Sequence, residues 1–434
     1  MTDRVVVVGA SVAGMSAVRG LRAYGFDGEI VVVTGEQDPP HDKPPLSKQL
    51  LAGEWRAEDI SLLGKTGVDS HGVDWRRANP ATGLDTVRRQ VLLADGERLR
   101  YGKLIIATGA RARELPGVRG PGVHVLRGLS DALALRADLL RGEALVVVGA
   151  GFIGAEVAAT ARRLGVAVTI VEYQPTPFHR VLGATVGALL ARLHEDNQVG
   201  LLTNVGVDRI ERGSRGIGAV RLTNGTRVQA GTVVVGVGVT PNTEWLAGSP
   251  LVLDDGVVCD EYCTARGAGD VFAIGDVARW FDVGRGAHCR VEHWTNASEQ
   301  GDLVARNLVH PRTPRPYASL PYFWSDQHGV KIQMVGRVSP GDHVELVRGG
   351  ADGDRTAAVY SAGGRVSAAL TLGWPRAIAA CRRLLSQGAG AREVLATLHR
   401  LAAATTAGGG AAAPVPRTDL EPVVHHRGKG ESEL

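Results

Sequence analysis

Cysteine is the first shortage. The 434-residue chain holds four, at 259, 263, 289 and 381, too few and too scattered for a disulfide framework. Cys259 and Cys263 have no second pair and no histidine at usable spacing, so no metal site is expected. Cys381 falls in step with Ile378 and Leu385 on one helical face, which suits core packing. Aromatic residues make up only 5%. No apolar run is long enough to span a bilayer. The start, "MTDRVVVVGA", lacks the basic region, apolar core and small-residue cleavage site of a signal peptide. Charge of one sign is missing too: 49 Lys and Arg stand against 45 acids, a formal excess of four. An excess that small does not imply a nucleic-acid partner. These absences predict a cytoplasmic chain with no membrane and no nucleic-acid role.

What is present points to several packed domains. With 44% hydrophobic and 22% charged residues, the chain can bury substantial cores, and its length calls for two or three of them. One internal echo stands out. "RVVVVGASVAGMSAVRGLRAYG" (4–25) and "ALVVVGAGFIGAEVAATARRLG" (144–165) share a plan of β-branched run, glycine loop, helix-forming segment and terminating glycine. A second strand follows each, "EIVVVTGE" (29–36) and "AVTIVE" (167–172). Continuous apolar runs suit strands buried on both faces of a parallel sheet, and the segment between suits the crossover helix. Two separate β-α-β nucleotide units are expected.

The glycines have distinct physical tasks. The first permits the tight turn, the second lets the backbone approach a pyrophosphate, and the third lets helix and strand pack closely. The phosphates then meet free N–H groups and the positive end of the helix dipole. The second copy has all three, Gly149, Gly151 and Gly154. The first reads Gly9, Ser11, Gly14, and the small serine can itself offer a hydroxyl to a phosphate. Glu36 and Glu172 end the second strands, about the 20 residues downstream that a ribose-binding carboxylate requires. A carboxylate there repels a 2′-phosphate, so Glu172 with "YQP" after it favours NADH over NADPH. Further buried strands end in turns at "LIIATGARAR" (104–113), "TVVVGVGVTPNTEWL" (232–246) and "GDVFAIGDVAR" (269–279). The Gly275–Asp276 turn is expected to open a helix.

In this order the motifs resemble the two-dinucleotide-domain flavoproteins. Among these the chain is similar to the FAD- and NADH-dependent ferredoxin reductases of bacterial oxygenase systems, the putidaredoxin, rhodocoxin and biphenyl-dioxygenase type. The resemblance runs over about residues 4 to 400 and includes "PPLSKQLLAGEW" (44–55), "VEHWTNASEQG" (291–301) and "YFWSDQHGVKIQMVG" (322–336). It implies an α/β fold with two Rossmann-like domains and a small α+β C-terminal domain. The FAD domain is then split, 1–113 and 242–318, around an NAD domain at 114–241. An interface domain follows at 319–401, closing over the flavin edge. From about residue 402 the Gly-, Ala- and Pro-rich composition reads as a flexible tail.

The resemblance also implies the site. FAD would lie over Gly9, Ser11, Ala13 and Gly14 with its adenosine ribose on Glu36. Lys43, Pro45, Lys48, Ala107, Thr108, Gly109, Arg127, Gly275, Asp276, Trp294 and Trp324 would flank it. NADH would sit on Gly149, Gly151, Phe152, Ile153 and Gly154, with Glu172 on its ribose and Arg180 and Gly238 alongside. Related disulfide reductases carry a redox cysteine pair on the segment after the first nucleotide unit. "HDKPPLSKQL" (41–50) has no sulfur there, so electrons must leave singly, outward, to a [2Fe–2S] ferredoxin and through it to an oxygenase. Lys48 is the candidate for favouring the anionic reduced flavin, paired in the family with the glutamate found here as Glu156. No nucleophile or general acid is needed.

The loop departs from the family in His41 and Lys43, where an aromatic and an arginine are common. Lys43 keeps the charge but loses the bidentate fork. His41 is either a packed histidine or a pH-responsive one. Trp294, Phe323 and Trp324 are either core residues or line the flavin and docking face. His293 reads as structural. Arg306, Arg312 and Arg315 form a loose basic run that is either a solvated face or a steering patch for an acidic ferredoxin. Alternative functions on the same fold are an NADH oxidase or small-molecule reductase, and a binding protein controlled by its redox state, like apoptosis-inducing factor.

Overall fold

The computed structural model describes residues 4–63, 71–214, 216–350 and 353–407. The apolar runs become parallel sheets. The first has five strands in the order Val271–Ala273, Lys103–Ile106, Arg4–Val8, Glu29–Val33, Val73–Arg76. Its central strand is buried on both faces, with Val5 to Val8 at most 3% exposed, each such side chain stabilising by roughly 1.5–3 kcal/mol relative to exposure. The register Val6↔Val31 and Val6↔Leu104 carries that burial to both neighbours. The second sheet repeats the plan in the order Gly200–Leu202, Val168–Val171, Leu145–Val148, Thr232–Val235, Val123–His124. In both, the chain leaves the central strand to one side and returns on the other. A crevice therefore opens at the strands' carboxyl ends, above the glycine loops.

Each loop feeds a helix of the expected length, Val12–Ala23 and Phe152–Arg163. Neither has a side-chain cap at its N-terminus, so the first backbone N–H groups stay available to a ligand. A third helix, Trp294–Val309, lies against the first. Gly301 makes that approach possible, since a Cβ there would stand 2.5 Å from the Ala13 carbonyl oxygen. A two-stranded ribbon pairs Ala110–Ala112 with Val239–Pro241 and carries the chain out to the second nucleotide unit and back.

The C-terminal unit is a five-stranded antiparallel sheet in the order Tyr322–Gln327, Val330–Gly336, Arg365–Leu372, Arg355–Ala362, His343–Gly349. One face packs on the helices Pro375–Ser386 and Ala391–Ala407 through Trp374, Ile378, Cys381 and Leu398. Against the other lie Phe178, Leu182, Val186 and Leu190 of the second nucleotide unit. The last helix continues six residues past 401, because "LAAATTA" is rich in the best helix former. The rest of the expected tail, with His425 and His426, lies outside the described residues. A second difference concerns Gly275–Asp276. This turn opens only a 3₁₀ turn, Gly275–Val277, and the chain goes straight into the strand Ala278–Asp282. The helix beneath it is Trp294–Val309, whose Ala297 would meet a Cβ on Gly275 at 3.4 Å.

Candidate active site

The first cradle is built by sterics. Gly9 has φ +115°, and a Cβ there would stand 2.1 Å from the Ala107 carbonyl oxygen. A Cβ on Gly14 would lie 1.9 Å from the Gly9 oxygen. Above them is a cavity of about 360 Å³, walled by Gly9, Ser11, Glu36, Lys43, Thr108 and Arg127 among others. Ala13 is not part of that wall; its carbonyl and methyl pack against Gly301 and Gly275. Ala107 and Gly109 do line it. Asn242, which sequence reading passed over as a break after proline, clamps the Thr108 loop. Its side-chain N–H donates to the Thr108 carbonyl and its own carbonyl accepts from Thr108 Oγ1, both at 2.9 Å.

Charges ring the cavity. Lys43 Nζ donates to Glu36 Oε1 and to the Arg127 carbonyl, each at 3.1 Å. Burial pushes the Lys43 pKa down, and Glu36 opposes that shift. Arg127, which lines the cavity, meets Asp276 Oδ2 through Nη2 at 2.7 Å. Beneath Gly275, the fully buried Gln300 accepts the Gly275 N–H at 2.7 Å. Gln300 Nε2 and His293 Nδ1 are buried without a partner among the described residues, which leaves polar capacity there. Glycine loop, helix N-terminus, carboxylate and two cations fit a dinucleotide such as FAD.

In the second cradle a Cβ on Gly149 would lie 2.4 Å from the Gly236 oxygen, and one on Gly154 would lie 2.3 Å from the Gly149 oxygen. A Cβ on Gly151 would meet nothing closer than 3.9 Å, so Gly151 faces open space where a phosphate can come close. Glu172 folds back over this loop, accepting the Ala150 N–H at 2.7 Å and the Gln174 N–H at 2.8 Å. Its carboxylate is thus held in one orientation beside the loop. Arg180 is exposed in the first turn of its helix, ahead of a break at Gly183. Gly238 sits at the crossing ribbon, where its carbonyl accepts the Arg113 N–H at 2.9 Å. Ile153 is exposed. Phe152 is held between Phe178 and Phe323, with both ring centroids at 4.4 Å.

Between the cradles lies the sulfur-free segment, folded as a 3₁₀ turn with Pro45 and Ser47 buried. Lys48 is 8% exposed and Glu156 6%, and they meet at 2.9 Å. Ser47 Oγ donates to the same carboxylate oxygen at 2.5 Å, and Ser325 Oγ donates to the other at 2.7 Å. In the sequence Ser47 is read only as one member of the sulfur-free segment, and Ser325 is not singled out. For Ser325 a signal existed: "YFWSDQ" alternates, and its second, fourth and sixth residues are the buried ones.

His41 is packed, 3% exposed, with Nδ1 at 2.9 Å from the Pro39 carbonyl. Asp42 accepts the Trp294 indole N–H at 2.7 Å, and burial raises its pKa. Trp294 stands edge-on to Trp324 at 6.3 Å, Trp324 stacks with Tyr322 at 6.3 Å, and the Arg382 guanidinium lies 5.5 Å from the Tyr322 ring. These aromatics run outward from the 41–48 loop, whereas Phe323 faces inward. Burial lowers the His293 pKa to about 4. Of the basic run, Arg306 is turned onto the Thr313 carbonyl at 3.0 Å, and Arg312 and Arg315 are exposed. All four cysteines are free and buried. Burial pushes the Cys259 and Cys263 thiols up, and Cys381 up to about 11. Among the described residues no three His, Cys, Asp or Glu side chains gather as a metal site, and no helix is long and apolar enough to cross a membrane.

Comparison with known proteins agrees with this geometry. The pyridine nucleotide-disulphide oxidoreductase pattern matches residues 3–301, and the reductase C-terminal pattern matches residues 322–399. The ferredoxin–NAD(+) reductase component of an anthranilate 1,2-dioxygenase system from Burkholderia cepacia is 37% identical, over 89% of this chain and 95% of that protein. Rhodocoxin reductase from Rhodococcus erythropolis is 35% identical, over 88% and 89%. Among solved structures, the covalent putidaredoxin reductase–putidaredoxin complex superposes with a TM-score of 0.86 at 32% identity, over 94% of this chain and 99% of that one.

Proposed function

The chain belongs to the pyridine nucleotide-disulphide oxidoreductase family, and from that membership we propose that it is an FAD-dependent NADH:ferredoxin oxidoreductase serving an oxygenase. The observation that carries the reading is the pair of glycine cradles together with the sulfur-free 41–50 segment, which has Lys48, paired with Glu156 of the second unit's helix, where a disulfide reductase has its thiols. FAD, when bound, supplies acceptance of a hydride from NADH and release of electrons one at a time. The balance is one NADH and two oxidised ferredoxins giving NAD⁺, a proton and two reduced ferredoxins.

The protein's own residues do the rest. Gly9, Ser11 and Gly14 would offer backbone to the FAD pyrophosphate, Glu36 and Lys43 would hold the adenosine end, and Arg127 and Asp276 would hold the middle. Gly149, Gly151, Gly154 and Glu172 hold NADH, with the carboxylate disfavouring a 2′-phosphate. Lys48 would hold an ammonium toward the bound flavin, where a positive charge would favour an anionic reduced state. Trp294, Trp324 and Tyr322 lead to the C-terminal surface, where Arg376, Arg382 and Arg383 are exposed on one helix. An acidic iron–sulfur protein would be steered there. The four free thiols fit a cytoplasmic setting.

The test is NADH-dependent cytochrome c reduction by the flavin-loaded protein, with and without a [2Fe–2S] ferredoxin. A rate that rises and saturates with ferredoxin is expected. NADH consumption that ignores ferredoxin and tracks oxygen would overturn the reading and leave an oxidase on the same fold.

A further inference from the structure

We propose that Ser325 is a positioning residue for the Lys48–Glu156 pair, so that the C-terminal sheet sets the charge arrangement beside the flavin. This rests on the role given to Lys48 above. The strand Tyr322–Gln327 has two faces. Tyr322, Trp324 and Asp326 are partly exposed, while Phe323, Ser325 and Gln327 are buried. The inward residues touch one helix at points four residues apart: Phe323 packs on Phe152 at 4.4 Å, and Ser325 bonds Glu156 at 2.7 Å. Positions i and i+4 share a helix face, so a single strand clamps the helix that begins at the second glycine cradle.

The direction of the hydrogen bond is fixed from behind. Gln327 is fully buried, and its Nε2 donates to Ser325 Oγ at 3.0 Å. The serine oxygen thus accepts from Gln327, and its own proton points at the Glu156 carboxylate, which as an anion can only accept. Glu156 Oε1 is held by Ser325, and Oε2 by Ser47 and Lys48. The carboxylate belongs to the second nucleotide unit, Ser47 and Lys48 to the first, and Ser325 to the C-terminal unit. Without the Ser325 proton, one oxygen of a buried anion loses its donor and the group is free to turn. The Lys48 ammonium follows its counter-charge and leaves the place from which it favours reduced flavin.

The experiment compares Ser325→Ala, Ser325→Thr and Lys48→Met in the full flavin-loaded chain, each checked for flavin content and melting temperature. The readouts are the flavin midpoint potential by spectroelectrochemistry and the split between kcat and KM for NADH. Ser325→Ala should move the potential negative, in the same direction as Lys48→Met and by less. The expected shift corresponds to a three- to tenfold change in the reduced-to-oxidised ratio, tenfold being about 30 mV for a two-electron couple. The kcat should fall several-fold while KM changes less than twofold, and Ser325→Thr, which keeps the hydroxyl, should restore the potential. If Lys48→Met shifts the potential and Ser325→Ala does not, the positioning role is refuted. If Lys48→Met itself leaves the potential unmoved, the role given to Lys48 fails, and the Ser325 proposal fails with it.

Discussion

Replacing Lys48 by methionine keeps the side chain's reach and deletes its charge. Glu156 would remain with its side chain 8% exposed, without the ammonium at 2.9 Å. Breaking a buried pair from one side costs about 3–5 kcal/mol, because the surviving charge is uncompensated. Two hydroxyls stay on the carboxylate, Ser47 at 2.5 Å and Ser325 at 2.7 Å, and hydrogen bonds to a charged group each contribute about 1.5–3 kcal/mol. They hold the loss to the low end, about 3 kcal/mol. Adding Glu156→Gln removes the stranded anion, so the double variant should lose less than the sum of the singles, with a coupling of about 2 kcal/mol. The assay is denaturant unfolding of all four proteins at equal flavin saturation, since bound ligand itself stabilises. Tryptophan fluorescence would follow the transition. Additive losses, or a Lys48→Met cost below about 1 kcal/mol, would refute the buried-pair reasoning.

Three further outcomes are expected. Gly154→Ala should abolish NADH binding and lower stability by several kcal/mol, since its Cβ would lie 2.3 Å from a backbone oxygen; Gly151→Ala, with 3.9 Å of room, should fold normally and raise only KM for NADH. Equal stability of these two variants would contradict the close-packed loop. Glu172→Ala frees the Ala150 and Gln174 N–H groups and should raise KM for NADH about tenfold, the equivalent of about 1.4 kcal/mol, while narrowing the preference over NADPH. An unchanged ratio of kcat/KM values for the two cofactors would remove Glu172 from the ribose site. His194 is fully buried, and burial with neighbouring His328 holds its pKa down at about 4, against 6.5 in the open chain. The unfolded state therefore binds a proton first as pH falls, and the stability present above pH 6.5 declines toward pH 4, by on the order of 3 kcal/mol. Unfolding free energies measured across that window should slope downward, less steeply in His194→Phe. Identical slopes would show that another group carries the loss.

The sequence by itself determined both nucleotide units. Runs such as "VVVV" at 5–8 admit little but a strand buried on both faces, and a glycine loop before a capless helix leaves its N–H groups facing a ligand. The alternation of "YFWSDQ" likewise marks a strand with two faces. These features are local, and each is set by a period or a steric limit within a few residues. The Gly275–Asp276 turn was misread because a tight turn after a strand suits a helix or another strand equally. Only the pairing of Ala278–Asp282 with Val257–Cys259 and Ala287–Cys289 shows which follows. The Lys48–Glu156 pair was available through family resemblance, not through any period. Its partners stand 108 residues apart, and Ser325 is 169 residues beyond Glu156. No spacing rule reaches that far. A buried carboxylate must collect donors from whatever backbone packs around it, and only the docking of three domains decided that these would be Ser47, Lys48 and Ser325.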